Sequence, residues 1–236
     1  MSSARRIVVV AAMQGMDLVR RYVAIALMVA LPLVFYFALL PDHYAVVVGG
    51  IGLAWSVSAA GLFVVLASRE TDPRLVLAGY RPWELLAGRW LLLEGVAAIL
   101  IGVFALLFIA ISRPAAITEL VVGVALTGIV AVPLGLAIGA LLPRELEGTL
   151  AIIALVGIEL TLPTDSSVAP FLPLYGSQQI LAVAAGLHDV SPPPAQVSVS
   201  YALAYTAALT LLATLLWTLR VRVRQSHHGA PSVRSE

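Results

Sequence analysis

The chain has 236 residues, 61% of them apolar and only 11% charged, with a net charge of +1 and a mean hydropathy of +1.00. A soluble domain carries about 25% charged residues because much of its surface still meets water, so this composition excludes a water-soluble enzyme and points to a bilayer as solvent. The absence of Cys removes disulfides and thiolate metal sites, and the near-zero net charge gives no reason to expect a nucleic-acid partner.

Residues 1–21 carry two Arg pairs, Arg5-Arg6 and Arg20-Arg21, around a short apolar run that Gln14 and Asp17 interrupt. A cleaved signal needs a longer apolar stretch and a small-residue cleavage site. The segment therefore reads as an N-terminal helix lying at a membrane interface, its Arg pairs facing headgroups.

A spanning helix needs about 20 apolar residues. The first span is expected over residues 22–40, with Pro32 inside it, and the second over 44–67. A polar stretch, 68–89, follows. The third span is expected over 90–111 and the fourth over 120–142, the latter carrying Pro133 and the pair Gly135/Gly139 in a GxxxG spacing. Such a pair lets helices approach closely, within one chain or between two. The fifth, 149–162, is short, roughly 21 Å as a helix. The last is expected over 197–219, ahead of Arg220, Arg222, Arg224 and a polar, disordered tail at 226–236.

Between the fifth and last spans lies 170–187, uncharged and broken by Pro173 and Gly176. Charge decides whether it crosses. With six crossings, thirteen of the fourteen basic residues, all Arg, fall on one side and only Arg113 on the other. A seventh crossing would put the tail Arg outside, against the positive-inside rule. The expected fold is therefore all-α: a polytopic membrane protein with six transmembrane helices, both termini cytoplasmic, and 170–187 as a re-entrant or interfacial outer segment. Residues 1–225 form one transmembrane domain. Arg used in place of Lys, with abundant Ala, Val and Leu, matches a GC-rich bacterial genome and hence a bacterial inner membrane.

Sites for chemistry are scarce. His43, His188, His227 and His228 lie in loops or the tail, without an HExxH partner or a Cys. No GxSxG elbow occurs. A Walker A loop needs Lys, and the chain has none. No ATPase site, catalytic residue, metal or cofactor is expected on this chain; ATP and Mg would be bound by another polypeptide.

The loop 68–89 is the informative stretch. Pro73 suits the first turn of a short helix capped by Asp72 and stopped by Gly79, and Pro82-Trp83-Glu84 opens a second. The loop reads either as a solvated connection with interfacial Arg and Trp or as a docking surface for a cytoplasmic partner. An acid, a Leu-rich turn, a small residue, an Arg-Pro turn, a second acid, and Gly with a basic residue leading into a span (Glu70, Leu75, Leu77, Ala78, Arg81, Glu84, Gly88 and Arg89) resemble the permease subunit of type-2 ATP-binding-cassette (ABC) exporters. The resemblance extends along nearly the whole chain: interfacial N-terminal helix, six spans, a coupling helix between spans two and three, and a proline-broken outer segment, here Pro163, Pro170 and Pro173.

The resemblance implies a half-transporter. It would pair with a second permease subunit, identical or different, above two cytoplasmic ATPase subunits. Arg69, Glu70, Asp72, Arg74, Leu77, Tyr80, Arg81 and Glu84 would couple it to the ATPase. The implied cargo is a hydrophobic or amphipathic small molecule, for example a drug such as a fluoroquinolone; export of lipid or a lipid-linked glycan is the alternative. From a different class, a non-transporting membrane scaffold or an intramembrane enzyme stays open. The enzyme would need convergent His, Asp or Ser at span depth, which the sequence lacks.

Ionisable groups inside apolar spans are costly and therefore functional suspects. Glu159 is the first candidate for a substrate path, with Phe35, Tyr36 and Pro133 beside it. Glu94, one turn into the third span, is expected to pair with an Arg.

Overall fold

The computed structural model describes residues 2–114, 116–162, 166–187 and 194–228. Among them the chain is helical throughout and contains no strand: α1 (Ser3–Val19), α2 (Tyr22–Ala38), α3 (Ala45–Ala67), α4 (Thr71–Leu77), α5 (Pro82–Ser112), α6 (Ile117–Leu141), α7 (Glu145–Thr161), a 3-10 turn at Ala169–Phe171, α8 (Tyr175–Ala184) and α9 (Ala195–His228). Pro163, His188 and residues 229–236 of the tail lie outside the described residues.

Four helices, α3, α5, α6 and α9, are long and apolar enough to cross a membrane. α1 and α2 meet at a bend of 83° and make a fifth if taken as one broken span. α2 and α7 have 17 residues each, about 25 Å of helix, short of the roughly 30 Å hydrocarbon core. The exposed faces agree with the lengths. Ile99 and Leu106 on α5 and Leu211 on α9 are 69%, 70% and 71% exposed, bands of apolar surface that water would penalise and lipid would not. The protein is membrane-embedded.

α3 and α6 form the centre. In α6, 72% of the apolar window is buried, against 17% in α9. The GxxxG glycines explain how the two central helices come so close. Gly135 lies against the backbone of Ser58, where any Cβ would overlap it, and a Cβ on Gly139 would come within 2.9 Å of Val65 Cβ. Ser58 Oγ donates to the Ala131 carbonyl at 3.0 Å across the same seam. The motif thus acts within the chain. Lipid gives helices no hydrophobic reason to associate, so close approach of small residues and such cross-helix hydrogen bonds carry the packing. Pro32 meets the next glycine notch, at Gly52, which joins α2 to α3.

α8 is buried in this bundle. Leu181 fills two notches at once, against Gly50 of α3 and Gly123 of α6, and Gly176 sits on the Ser198 backbone of α9. Most of α8 is therefore covered by protein, while the 3-10 turn before it leaves Phe171 76% exposed.

Two local expectations are corrected. Asp72 does not cap α4: the N-cap position is Glu70, and the Asp72 carboxylate turns inward to Arg89 because a buried guanidinium is the stronger partner. The helix start expected at Pro82-Trp83-Glu84 is present, and from it one helix runs unbroken through the expected third span, 90–111. Glu84 and Arg89 lower the hydropathy there, yet both are buried and paired, so they do not break the helix. Glu94 forms no ion pair among the described residues, and its Oε1 is buried without a hydrogen bond.

Candidate functional site

The 31 residues of α5 run about 46 Å, longer than the hydrocarbon core. Its first turns lie at the end of the bundle where α3 finishes, and α4 is held against them by the Asp72–Arg89 ion pair. Local sequence forms this corner. Gly79, at φ +90, supplies the left-handed conformation that ends α4. Pro82 occupies the first turn of α5, and Glu84 Oε2 accepts the Arg81 N–H at 2.9 Å, closing the new N-terminus.

Three arginines clasp the loop to its surroundings. Arg6 of α1 donates to the Gly79 carbonyl at 2.6 Å and to Glu84 Oε2 at 3.4 Å, with its guanidinium 5.6 Å from the centre of the Tyr80 ring. The Arg81 N–H, then Ser3 and Arg6, hold the Glu84 carboxyl below the usual carboxylate range against the opposing effect of burial. Arg69 donates to the carbonyls of Gly139, Leu142 and Pro143, a cation placed on the negative end of α6.

Arg89 is the third and is fully buried. It donates to Asp72 of α4, and its guanidinium lies 4.2 Å from the centre of the Trp217 ring on α9. Trp217 Nε1–H in turn donates to the Pro82 carbonyl at 3.2 Å. One buried cation thus joins α4, the start of α5 and the last helix.

Of the eight loop residues singled out from sequence, the structure divides inward from outward. Asp72 is buried and Tyr80 and Glu84 face the clasp, while Arg69 binds α6. Glu70, Arg74, Leu77 and Arg81 are exposed, Leu77 at 87%. Trp83 stands beside them, 45% exposed. Leu77 thus stands as an exposed apolar residue at the end of α4. Arg6 and Trp217 are clasp residues that sequence reasoning did not connect to the loop; Arg89 was placed in it, without its partners Asp72 and Trp217.

The proposed path residues sit differently. Tyr36 is fully buried, hydrogen-bonded to Ser112 Oγ and packed on Phe108. Phe35 stacks edge-on against Trp55 at 5.6 Å, and Pro133 is buried in α6. Glu159, also buried, accepts the Leu174 N–H at 2.9 Å and Gln178 Nε2 at 3.3 Å. Its carboxyl lies at the N-terminal end of α8, where it meets the N–H of the N-cap residue Leu174. The space beside it is ≈ 10 Å³, room for one water at most. Among the described residues no three His, Asp or Glu side chains gather as a metal site requires.

Fold and site together define a helical, membrane-embedded protein with a rigidly held, outward-presenting loop. Compared with protein-family models and with curated proteins, the sequence matches none of them.

Proposed function

We propose that this chain is the permease subunit of a bacterial ATP-driven exporter of the type-2 ABC class. In this reading it crosses the inner membrane six times with both termini cytoplasmic, α1 lies at the cytoplasmic interface, and the 3-10/α8 segment is re-entrant from the outer face. ATP is hydrolysed by a separate subunit that docks on α4, and a second permease copy or homologue completes the pathway. The cargo is a hydrophobic or amphipathic small molecule.

One observation carries the reading: Leu77 stands 87% exposed at the end of α4 while the base of the same loop is tied by Arg6, Arg69 and Arg89 to α1, α5, α6 and α9. A connecting loop that only links two spans needs no such clasp. A loop that must pass force from a motor to the bundle does, because the partner can shift a conformational equilibrium only through contacts that differ between states. The positive-inside rule supports the orientation, since thirteen Arg then face the cytoplasm.

ATP-dependent accumulation of cargo in inverted vesicles from the native host tests the proposal, with a panel of drugs and lipids. Accumulation that disappears with Leu77→Asp, in vesicles still containing the full amount of protein, supports it. Accumulation unchanged by Leu77→Asp contradicts it.

A further inference from the structure

At the end of the bundle opposite the clasped loop, α6 and α9 both begin and diverge over α8, leaving an open cleft of ≈ 560 Å³. Its floor and walls are apolar: Val122 of α6, Ile180 of α8 and Leu203 of α9. Polar groups enter at the rim from the first turns, Glu119 of α6 with Gln196 and Ser200 of α9. Among the described residues, Glu119 is the only charged one lining the cleft. It is half-buried, and no described residue gives it a hydrogen bond or an ion pair.

Three features narrow what fits. The volume lies within the range of pockets that hold drug-sized molecules, about 300–1,000 Å³, and is small for a phospholipid with two acyl chains. The apolar lining asks for an apolar body. A single carboxylate at the rim, with no cation beside it among the described residues, asks for one positive charge. Because the cleft is open and lies where two membrane helices start, its ligand enters from the headgroup boundary.

We infer that this cleft is a binding site for a free, singly charged organic cation with a compact apolar body, held by Glu119 at the rim and by Val122, Ile180 and Leu203 within. The site does not depend on the export reading. It is assigned from the cleft alone and is measured without ATP or a partner, so its failure leaves the proposed function standing, and the reverse.

The test is equilibrium binding to the full chain in phosphatidylcholine nanodiscs, using tetraphenylphosphonium and the isosteric anion tetraphenylborate. Protein-free nanodiscs provide the background that is subtracted. The expected result is saturable, one-to-one binding of the cation at least tenfold tighter than that of the anion. Glu119→Gln should weaken the cation by about tenfold, the factor that separates adjacent decades of affinity, and leave the anion unaffected. Leu203→Trp, which fills the cleft from a half-exposed position, should abolish saturable binding while retaining Glu119. Equal binding of the two isosteres, or wild-type affinity in Glu119→Gln, would overturn the assignment. So would cation binding that survives Leu203→Trp, or binding seen in detergent but lost in nanodiscs, which would give the cleft to a lipid chain.

Discussion

Replacing Arg89 with Met removes the cation that joins α4, α5 and α9. Asp72 would remain, 5% exposed, deprived of its buried ion pair, and breaking such a pair from one side destabilises by about 3–5 kcal/mol. The loss of the guanidinium over Trp217 adds to this, since a desolvated cation–π contact contributes about 2 kcal/mol. Asp72→Leu alone takes the carboxylate away from the buried guanidinium and should lie in the same range. The double variant Arg89→Met/Asp72→Leu removes both members of this pair, and apolar replacement of a buried pair is often neutral or stabilising. It should therefore recover most of the loss, so that the coupling energy exceeds about 3 kcal/mol, beyond the usual range for contacting residues. Equilibrium unfolding of the four proteins in mixed micelles measures the cycle. Single variants as stable as wild type, or a double variant no better than either single, would refute the account of the clasp. Should the double variant fold well yet lose transport, stability and coupling are separated, and the pair is assigned to the force path.

Other expectations follow from the same geometry. Gly135→Val places a side chain into the Ser58 backbone and should destabilise the α3–α6 seam by more than about 3 kcal/mol, read as loss of monodisperse protein in detergent; Gly95→Val, where nothing lies within 4 Å, should be tolerated. Glu159→Gln keeps an acceptor for the Leu174 N–H and should be mild, whereas Glu159→Leu leaves that buried donor unmet and should cost about 1–3 kcal/mol, visible as faster proteolysis at residues 166–174. Trp217→Phe keeps a ring beside Arg89 but loses the hydrogen bond to Pro82, and should destabilise by about 1 kcal/mol, against a larger loss for Trp217→Ala, in the same micelle assay.

How much of this was legible in the sequence depended on distance along the chain. Apolar runs located helices because hydropathy is a local sum, and four of those helices are long and apolar enough to cross a membrane; α3 at Ala45–Ala67 begins one residue inside its expected bounds of 44–67. The same sum failed at the start of α5, where Glu84 and Arg89 read as polar but have partners 78 and 17 residues away. Pro82 and Glu84 foretold the second helix start, a matter of neighbouring backbone. Asp72 misled for the complementary reason: it has the local credentials of a cap, and a tertiary partner outbid them. Glu159 stood out as an acid in an apolar segment, but its partners Leu174 and Gln178 lie 15 and 19 residues further on, at the start of another helix that composition does not place. The direction in which Leu77 points is likewise a tertiary fact, since α4's inward face is set by Arg89 and the core rather than by an apolar stripe of its own.

The account rests on the tip of α4 engaging an ATP-binding subunit. Photo-crosslinking in native membranes, with a benzophenone side chain at position 77, tests this most directly, and the same probe at Leu106, 70% exposed on the opposite stretch of α5, serves as the control. An adduct between position 77 and a polypeptide bearing a Walker A loop, absent from position 106, is the expected result. No such adduct from position 77, or the same adduct from both positions, would contradict the account.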